Sequence, residues 1–215
     1  MRVFSKKSFT KVALHFGLAL TFGLINIPDA SANLAQAEIA KPAPQFSLPD
    51  NEGKMHTLAD YKGKYVVLEW VNYDCPFVKK HYKSGNMPGL QTKYKSQDVV
   101  WISVCSSAKG KQGNFEKEAL AAKIKKSKAN PSLYLVDADG KVGKAFGAKT
   151  TPHMFIVDPL GNVIYNGAID DKPSTDVEDV AGATNYVAQV LDAALAGKEI
   201  PVKSSKPYGC GVKYQ

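Results

Sequence analysis

Residues Glu69 to Tyr82 read EWVNYDCPFVKKHY. An apolar run ends at Val71, Cys75 and Pro76 follow, and a lysine-containing segment begins. The run Tyr65 to Val71 (YVVLEWV) is β-rich and almost continuously apolar, which suits a central parallel strand covered on both faces. The segment from Cys75 onward suits a helix. The stretch therefore sets Cys75 where a strand gives way to a helix, at the C-terminal edge of a sheet, where sites form in α/β folds. In a Cys-x-x-Cys pair the second cysteine would stand at position 78, and that position is Val78.

Working outward, the flanking segments alternate between strand and helix patterns. Gln45 to Leu48 starts a strand and Pro49 to Gly53 is a turn. Cys75 to Lys95 holds a helix that Gly85 and Pro88-Gly89 are expected to break. Val99 to Val104 (VVWISV) is a second buried strand, Lys109 to Asn114 a polar loop, Phe115 to Lys126 a helix and Ser132 to Val136 a third strand. Gly140 to Phe146 is a short helix or turn. Met154 to Asp158 and Val163 to Tyr165 flank Pro159-Leu160-Gly161-Asn162, a hairpin turn. Asn185 to Ala196 is an amphipathic helix ended by Gly197. Strands alternating with helices, then a hairpin and a last helix, predict a three-layer α/β sandwich.

The ends of the chain read differently. Met1 to Lys11 carries Arg2, Lys6, Lys7 and Lys11, and Val12 to Ile27 is mostly apolar and free of formal charge. Small residues precede a cut expected after Ala32. This is the pattern of a secretory signal, too short and interrupted for a stable membrane anchor. The predicted organisation is a signal peptide at 1–32, a lead-in at 33–44, a domain at 45–197 and a tail at 198–215 that carries Cys210. Cleavage would remove those four cations and Asp29, lowering the formal charge from +8 to +5. The remaining lysines are scattered among acids. The cluster Lys123, Lys125, Lys126 and Lys128 reads as the outer face of a helix, and no nucleic-acid motif is present.

Arg2 is the only arginine in the chain, so no guanidinium stands beside the site once the signal is removed. The cysteines are Cys75, Cys105 and Cys210. Export would place them in an oxidising compartment, and an odd count leaves at least one without an internal partner. The helix N-terminus favours a thiolate at Cys75, Lys79 one turn along adds positive charge, and Asp74 opposes it, which predicts a moderately activated thiol. The alternative is a buried, inert cysteine.

The segment Phe46 to Lys54 (FSLPDNEGK), the strand with Cys75-Pro76-Phe77-Val78, Thr151 to Asp158 (TPHMFIVD) and the ending Pro207 to Tyr214 (PYGCGVKY) resemble the thioredoxin-like redoxins. Within them, the likeness is to the peroxiredoxin-like branch of the alkyl hydroperoxide reductase and thiol-specific antioxidant group, and it extends from Ile39 to the C-terminus. The resemblance implies a thioredoxin-like α/β/α sandwich with a mixed sheet. It implies a cis-proline loop at Thr151-Pro152 facing Cys75, where the Thr151 backbone pairs with an incoming peptide or peroxide. Glu69, six residues before Cys75, stands at the spacing of the buried acid that shuttles a proton in thioredoxins; the alternative is a carboxyl that only satisfies its neighbours. His81 and His153 are each either near the thiol or satisfied structural histidines.

The departures from the family pattern also carry information. Peroxiredoxins use Pro-x-x-x-Thr-x-x-Cys and an arginine, whereas Leu68 and Asn72 stand at the proline and threonine positions here. Their cysteine aligns with Val78. Copper-delivery relatives use two cysteines four apart, and Lys79 holds the second place. Two thiols remain as partners for Cys75: Cys105, at the end of an apolar strand, and Cys210, on a glycine-flanked tail whose 14 residues beyond Ala196 span up to roughly 45 Å.

The expected function is an exported, periplasmic or extracellular thiol-disulfide oxidoreductase and antioxidant protein of the peroxiredoxin-like kind, with Cys75 as nucleophile, Cys210 resolving, Thr151 and Pro152 shaping the site and Glu69 as a proton carrier. Its substrate would be a thiol/disulfide protein or a peroxide, its electrons would come from a separate donor, and no cofactor or metal is required. The competing readings are a non-catalytic binding or assembly module and a haem- or metal-binding redoxin that uses Cys75 with His81 or His153.

Overall fold

A computed structural model describes Met1, Val3 and residues 37–215. The expected signal peptide lies almost entirely outside these residues. Asn33–Gln215 forms one compact unit.

In chain order the elements are β1 (Ser47–Pro49), β2 (Met55–Thr57), β3 (Val66–Trp70), α1 (Pro76–Lys83), α2 (Asn86–Lys95), β4 (Val100–Cys105), α3 (Lys117–Ser127), β5 (Leu133–Val136), α4 (Lys141–Phe146), β6 (Thr150–Thr151), β7 (His153–Val157), β8 (Val163–Gly167), α5 (Tyr186–Leu195) and β9 (Cys210–Gly211). Five strands form the central sheet in the order β5-β4-β3-β7-β8. β3 runs parallel to β4, and β4 to β5, while β7 is antiparallel to both β3 and β8. The mixed sheet is the thioredoxin-like arrangement that the sequence implied.

The alternation of side chains along β3 explains why it is apolar throughout. Val66, Leu68 and Trp70 point to one face, where they meet Ile102, Phe146, Phe155 and the lead-in residues Ala37 and Ala43. Val67 and Val71 point to the other, where α1, α2, α3 and α5 supply Val78, Met87, Leu120 and Val187. A strand buried on both faces needs apolar side chains at every position, except where a polar one is fully partnered, as Glu69 is.

Local boundaries differ from expectation at a few points. The helix after Cys75 breaks once, at Ser84-Gly85, where Gly85 takes the left-handed conformation (φ 77°). Pro88 does not break it; it is the third residue of α2, in the first turn, whose amides have no intrahelical acceptor. α5 starts as expected at Asn185, whose side chain accepts from the Ala188 amide, and Gly197 (φ 64°) follows its end. The loop at Asp158–Asn162 closes the β7–β8 hairpin. On α3, Lys125 and Lys126, and Lys128 at its C-cap, are exposed as expected, whereas the half-buried Lys123 pairs with Asp74. The tail is not loose: β9 pairs antiparallel with β6. Among the described residues, no helix is long and apolar enough to cross a membrane.

The Phe146 ring lies 5.2 Å from Trp70, 5.4 Å from Phe155 and 6.5 Å from Phe46, fully buried. Phe146→Ala should therefore cost about 3–5 kcal/mol of unfolding free energy, read from the shift in urea midpoint at unchanged slope.

Candidate active site

The turn between β3 and α1 is built by Asn72. Its carbonyl accepts the Cys75 amide (3.0 Å), its Oδ1 accepts the Asp74 amide (2.9 Å), and its side-chain amide donates to the Gln112 carbonyl (3.2 Å). Cys75 is the N-cap of α1 with extended backbone, and Pro76 is the first helical residue, where a missing N–H costs nothing. The Cys75 side chain is fully buried, and its thiol donates to the Thr151 carbonyl at 3.1 Å. Asp74, the like charge beside the thiol, is engaged by Lys123 and lies 3.9 Å from Lys79 Nζ. Lys79 thus serves the carboxylate of Asp74.

The Thr151-Pro152 bond is cis, as the resemblance implied. The edge of β6 is occupied by the chain's own tail: Thr150 pairs with Gly211 and Thr151 with Cys210. Because Thr151 both pairs with Cys210 and accepts the Cys75 thiol, the Cys210 side chain is a close neighbour of Cys75. Burial first, and then the neighbouring Cys75 sulfur, push Cys210 up to about 12, so it is protonated at neutral pH. All three cysteines are thiols. Cys105, the other candidate partner, is buried and donates to the Gly113 carbonyl at 3.2 Å. Cys75, Cys210, Thr151 and Pro152 therefore come together.

Glu69 belongs to a different constellation. Its Oε1 accepts the Tyr82 hydroxyl (2.7 Å), and its Oε2 accepts Trp101 Nε1 (2.8 Å), Gln91 Nε2 (3.1 Å) and the Ser103 hydroxyl (3.2 Å). Burial raises its pKa above the carboxylate range, and these four donors oppose the rise. None of the four belongs to Cys75 or Cys210, so the carboxyl ties β3, β4, α1 and α2 together on the helix-covered face of the sheet.

Both candidate histidines are engaged at both ring nitrogens. His153 Nδ1 accepts the Lys149 amide (3.2 Å) and its Nε2 meets Asn166 Oδ1 at 2.8 Å. His81 Nδ1 lies 3.0 Å from the Asn86 side-chain amide and its Nε2 3.0 Å from the Tyr208 hydroxyl. Burial depresses His153 to about 4 and, with the Lys80 charge, His81 to about 3. Neither ring has a free lone pair for a metal or haem iron.

Sequence reasoning missed the cluster under the tail. Tyr208 donates to Asp170 Oδ1, and Lys80 Nζ lies 4.0 Å from Asp170 Oδ2 and donates to the Lys172 carbonyl at 2.6 Å. Lys80, His81 and Asp170 are all buried. The one signal for this cluster was Tyr208 itself, two residues before Cys210.

A buried thiol at a helix N-cap, against the carbonyl that precedes a cis-proline, with a second thiol beside it, defines a thioredoxin-like thiol protein. The chain belongs to the Redoxin family, whose profile matches residues 38–184. It is similar to the thiol-disulfide oxidoreductase ResA of Bacillus thuringiensis subsp. konkukian, 30% identical over 59% of this chain and 68% of that one. It is also similar to the peroxiredoxin Bcp of Bacillus subtilis, 31% identical over 51% of this chain and 63% of that one. Among solved structures, a hypothetical protein from Sinorhizobium meliloti 1021 superposes with a TM-score of 0.70 at 25% identity, covering 84% of this chain and 96% of that one.

Two outcomes follow. Glu69→Ala strands four buried donors and should cost about 3–5 kcal/mol, with Glu69→Gln costing less because it still accepts at one oxygen; urea unfolding at pH 7 measures both. The two histidines take a proton in the unfolded chain near pH 6.5 and refuse it in the folded one until about pH 4 (His153) and 3 (His81). Their contribution to stability is complete above pH 6.5 and lost as the pH falls through that window. The urea midpoint should drop from pH 7 to 4.5, with a smaller drop in His153→Gln.

Proposed function

We propose that this protein is a thiol-disulfide oxidoreductase in which Cys75 is the nucleophile and Cys210 the resolving thiol. The observation that carries the reading is the placement of Cys210 opposite Thr151 on the β6 edge, beside the Cys75 sulfur. In the first half-reaction the Cys75 thiolate attacks one sulfur of a substrate disulfide. An S–S bond forms between Cys75 and the substrate, and the other substrate sulfur leaves as a thiolate. In the second, Cys210 gives up its proton and its thiolate attacks Cys75 Sγ. The Cys75–Cys210 bond forms and the remaining substrate sulfur is released. The substrate gains two electrons and the protein loses two, to be restored by an external dithiol donor.

The depressed acidity of Cys210 fits this order. It stays protonated while both thiols are reduced, and one of the causes, its contact with the Cys75 thiol, is removed once Cys75 is in a mixed disulfide. Thr151 holds the Cys75 thiol before reaction, with Pro152 shaping the loop. Glu69 acts on the site through the packing of β3 and α1. Peroxide reduction would use the same cysteines through a sulfenic acid at Cys75, resolved by Cys210 with release of water. The similarity to peroxiredoxin Bcp favours it, and the lack of any arginine after Arg2 disfavours it.

We read the protein as exported, to a periplasmic or extracellular site, from the charge and apolar pattern of residues 1–32. A mature N-terminus at Asn33 in the exported fraction is the expected result.

Non-reducing peptide mapping tests the core of the reading. A Cys75–Cys210 link should appear on treatment with a substrate disulfide and vanish with mild reductant, and Cys210→Ser should trap substrate on Cys75. A Cys75 that stays free and unmodified would move the assembly-module reading ahead. A peroxide pulse that yields the link faster than disulfides do would favour the peroxidase reading.

A further inference from the structure

The tail is held at several points besides the β6 edge. The Val212 amide donates to the Lys149 carbonyl (3.1 Å), the Ala108 amide to the Lys213 carbonyl (2.9 Å) and the Tyr214 hydroxyl to the Ala148 carbonyl (2.8 Å). Ahead of Cys210, Ser205 is fixed to the end of β8 by Asn166, Tyr165 and Ala168, and the holding point nearest Cys210 is Tyr208. Its hydroxyl donates to Asp170 and meets His81 Nε2, its ring stands edge-on to Phe77 with centroids 5.9 Å apart, and Lys80 Nζ lies 5.5 Å from the ring centre.

The cluster that receives Tyr208 is expensive to bury. The Lys80 and Asp170 side chains are 0% and 1% exposed, 4.0 Å apart, and Asp170 Oδ2 has no hydrogen-bond partner among the described residues. A buried carboxylate needs donors to offset its desolvation. Asp170 Oδ1 has two, the Lys172 amide from its own loop (3.0 Å) and the Tyr208 hydroxyl from the tail. Gly209 then passes so close to the loop that an added Cβ would fall 2.1 Å from the Thr151 oxygen, the acceptor of the Cys75 thiol. Between a fixed Tyr208 and this tight crossing, Cys210 is set beside Cys75, and Cys75 is left with no exposed surface.

We propose that Tyr208, docked on Asp170 and His81, is the residue that positions Cys210 at Cys75, and that the strap it anchors closes the β6 edge, so that another chain reaches Cys75 only when the strap lifts. This rests on the thiol-exchange reading above. Tyr208 touches neither substrate nor the reacting sulfurs and acts through the backbone of Gly209 and Cys210.

The test uses full-length protein in two arms. With Cys210 present, the equilibrium between dithiol and Cys75–Cys210 disulfide is measured against a reference dithiol in wild type and Tyr208→Phe. With Cys210→Ser, the rate of Cys75 alkylation by iodoacetamide is measured alone and combined with Tyr208→Phe or with Gly209→Ala, which forces the strap off the edge without touching the anchor. A hydrogen bond to a charged group is lost in Tyr208→Phe, so its disulfide should become easier to reduce by roughly ten- to a hundredfold, and Cys75 alkylation should rise by a similar factor. Gly209→Ala should speed alkylation at least as much. A disulfide equilibrium unchanged in Tyr208→Phe, with alkylation rates equal to the parent in both variants, would overturn the proposal and leave the thiol-exchange reading standing. Acceleration by Gly209→Ala alone would overturn the role of Tyr208. Absence of labelling in every folded variant, with labelling restored in urea, would overturn the thiol-exchange reading beneath it. A thermal shift without a change in either redox readout would mark Tyr208 as merely structural and likewise overturn its positioning role.

Discussion

The Thr151 carbonyl oxygen is the point on which the site turns. It accepts the Cys75 thiol at 3.1 Å, and Gly209 of the tail crosses directly against it. Thr151 is buried, so its backbone groups must be partnered by protein. The partners come from the N-cap of α1 and from β9. A single buried peptide thereby sets the helix bearing one thiol against the strand bearing the other.

Two buried polar clusters flank this point and do separate work. Glu69 lies under β3 and draws donors from α1, α2 and β4, which fixes how α1, and so Cys75, sits on the sheet. Lys80, His81 and Asp170 lie under the tail and fix how Cys210 approaches. Each places polar groups where apolar packing would be cheaper, and each is tied to the position of one cysteine. Buried polar groups are costly without partners, which is why Trp101, Gln91 and Asn86 are spent on hydrogen bonds rather than on packing alone.

The resemblance to thioredoxin-type sites explains why Glu69 stood out, and the structure shows what its spacing meant here. The residue lies within the apolar strand where the shuttle acid stands in thioredoxins, but its carboxyl is saturated by four donors and has no thiol among them. Val78, in the place of the second cysteine, packs into the same core. The second thiol comes instead from the far end of the chain.

How much was legible in the sequence follows from the range of the forces involved. The β3–Cys75–α1 junction, the break at Gly85, the β7–β8 hairpin and the capped start of α5 were readable because periodicity, glycine and capping act over a few residues. Pro88 misled because a proline within the first helical turn loses no hydrogen bond, and only the boundary of α2 reveals which turn it occupies. The tail had no such local code: lysine, serine, glycine and proline from Lys198 to Gln215 specify no regular element. Its course is decided by contacts from Tyr208 to Asp170 and His81, 38 and 127 residues away, and from Cys210 to Thr151, 59 residues away. The sequence by itself determined the sheet and the place of Cys75 at its edge, because those rest on short-range patterns. Which thiol stands beside Cys75 was decided only in the tertiary structure, because that choice depends on buried partners that chain order does not bring near.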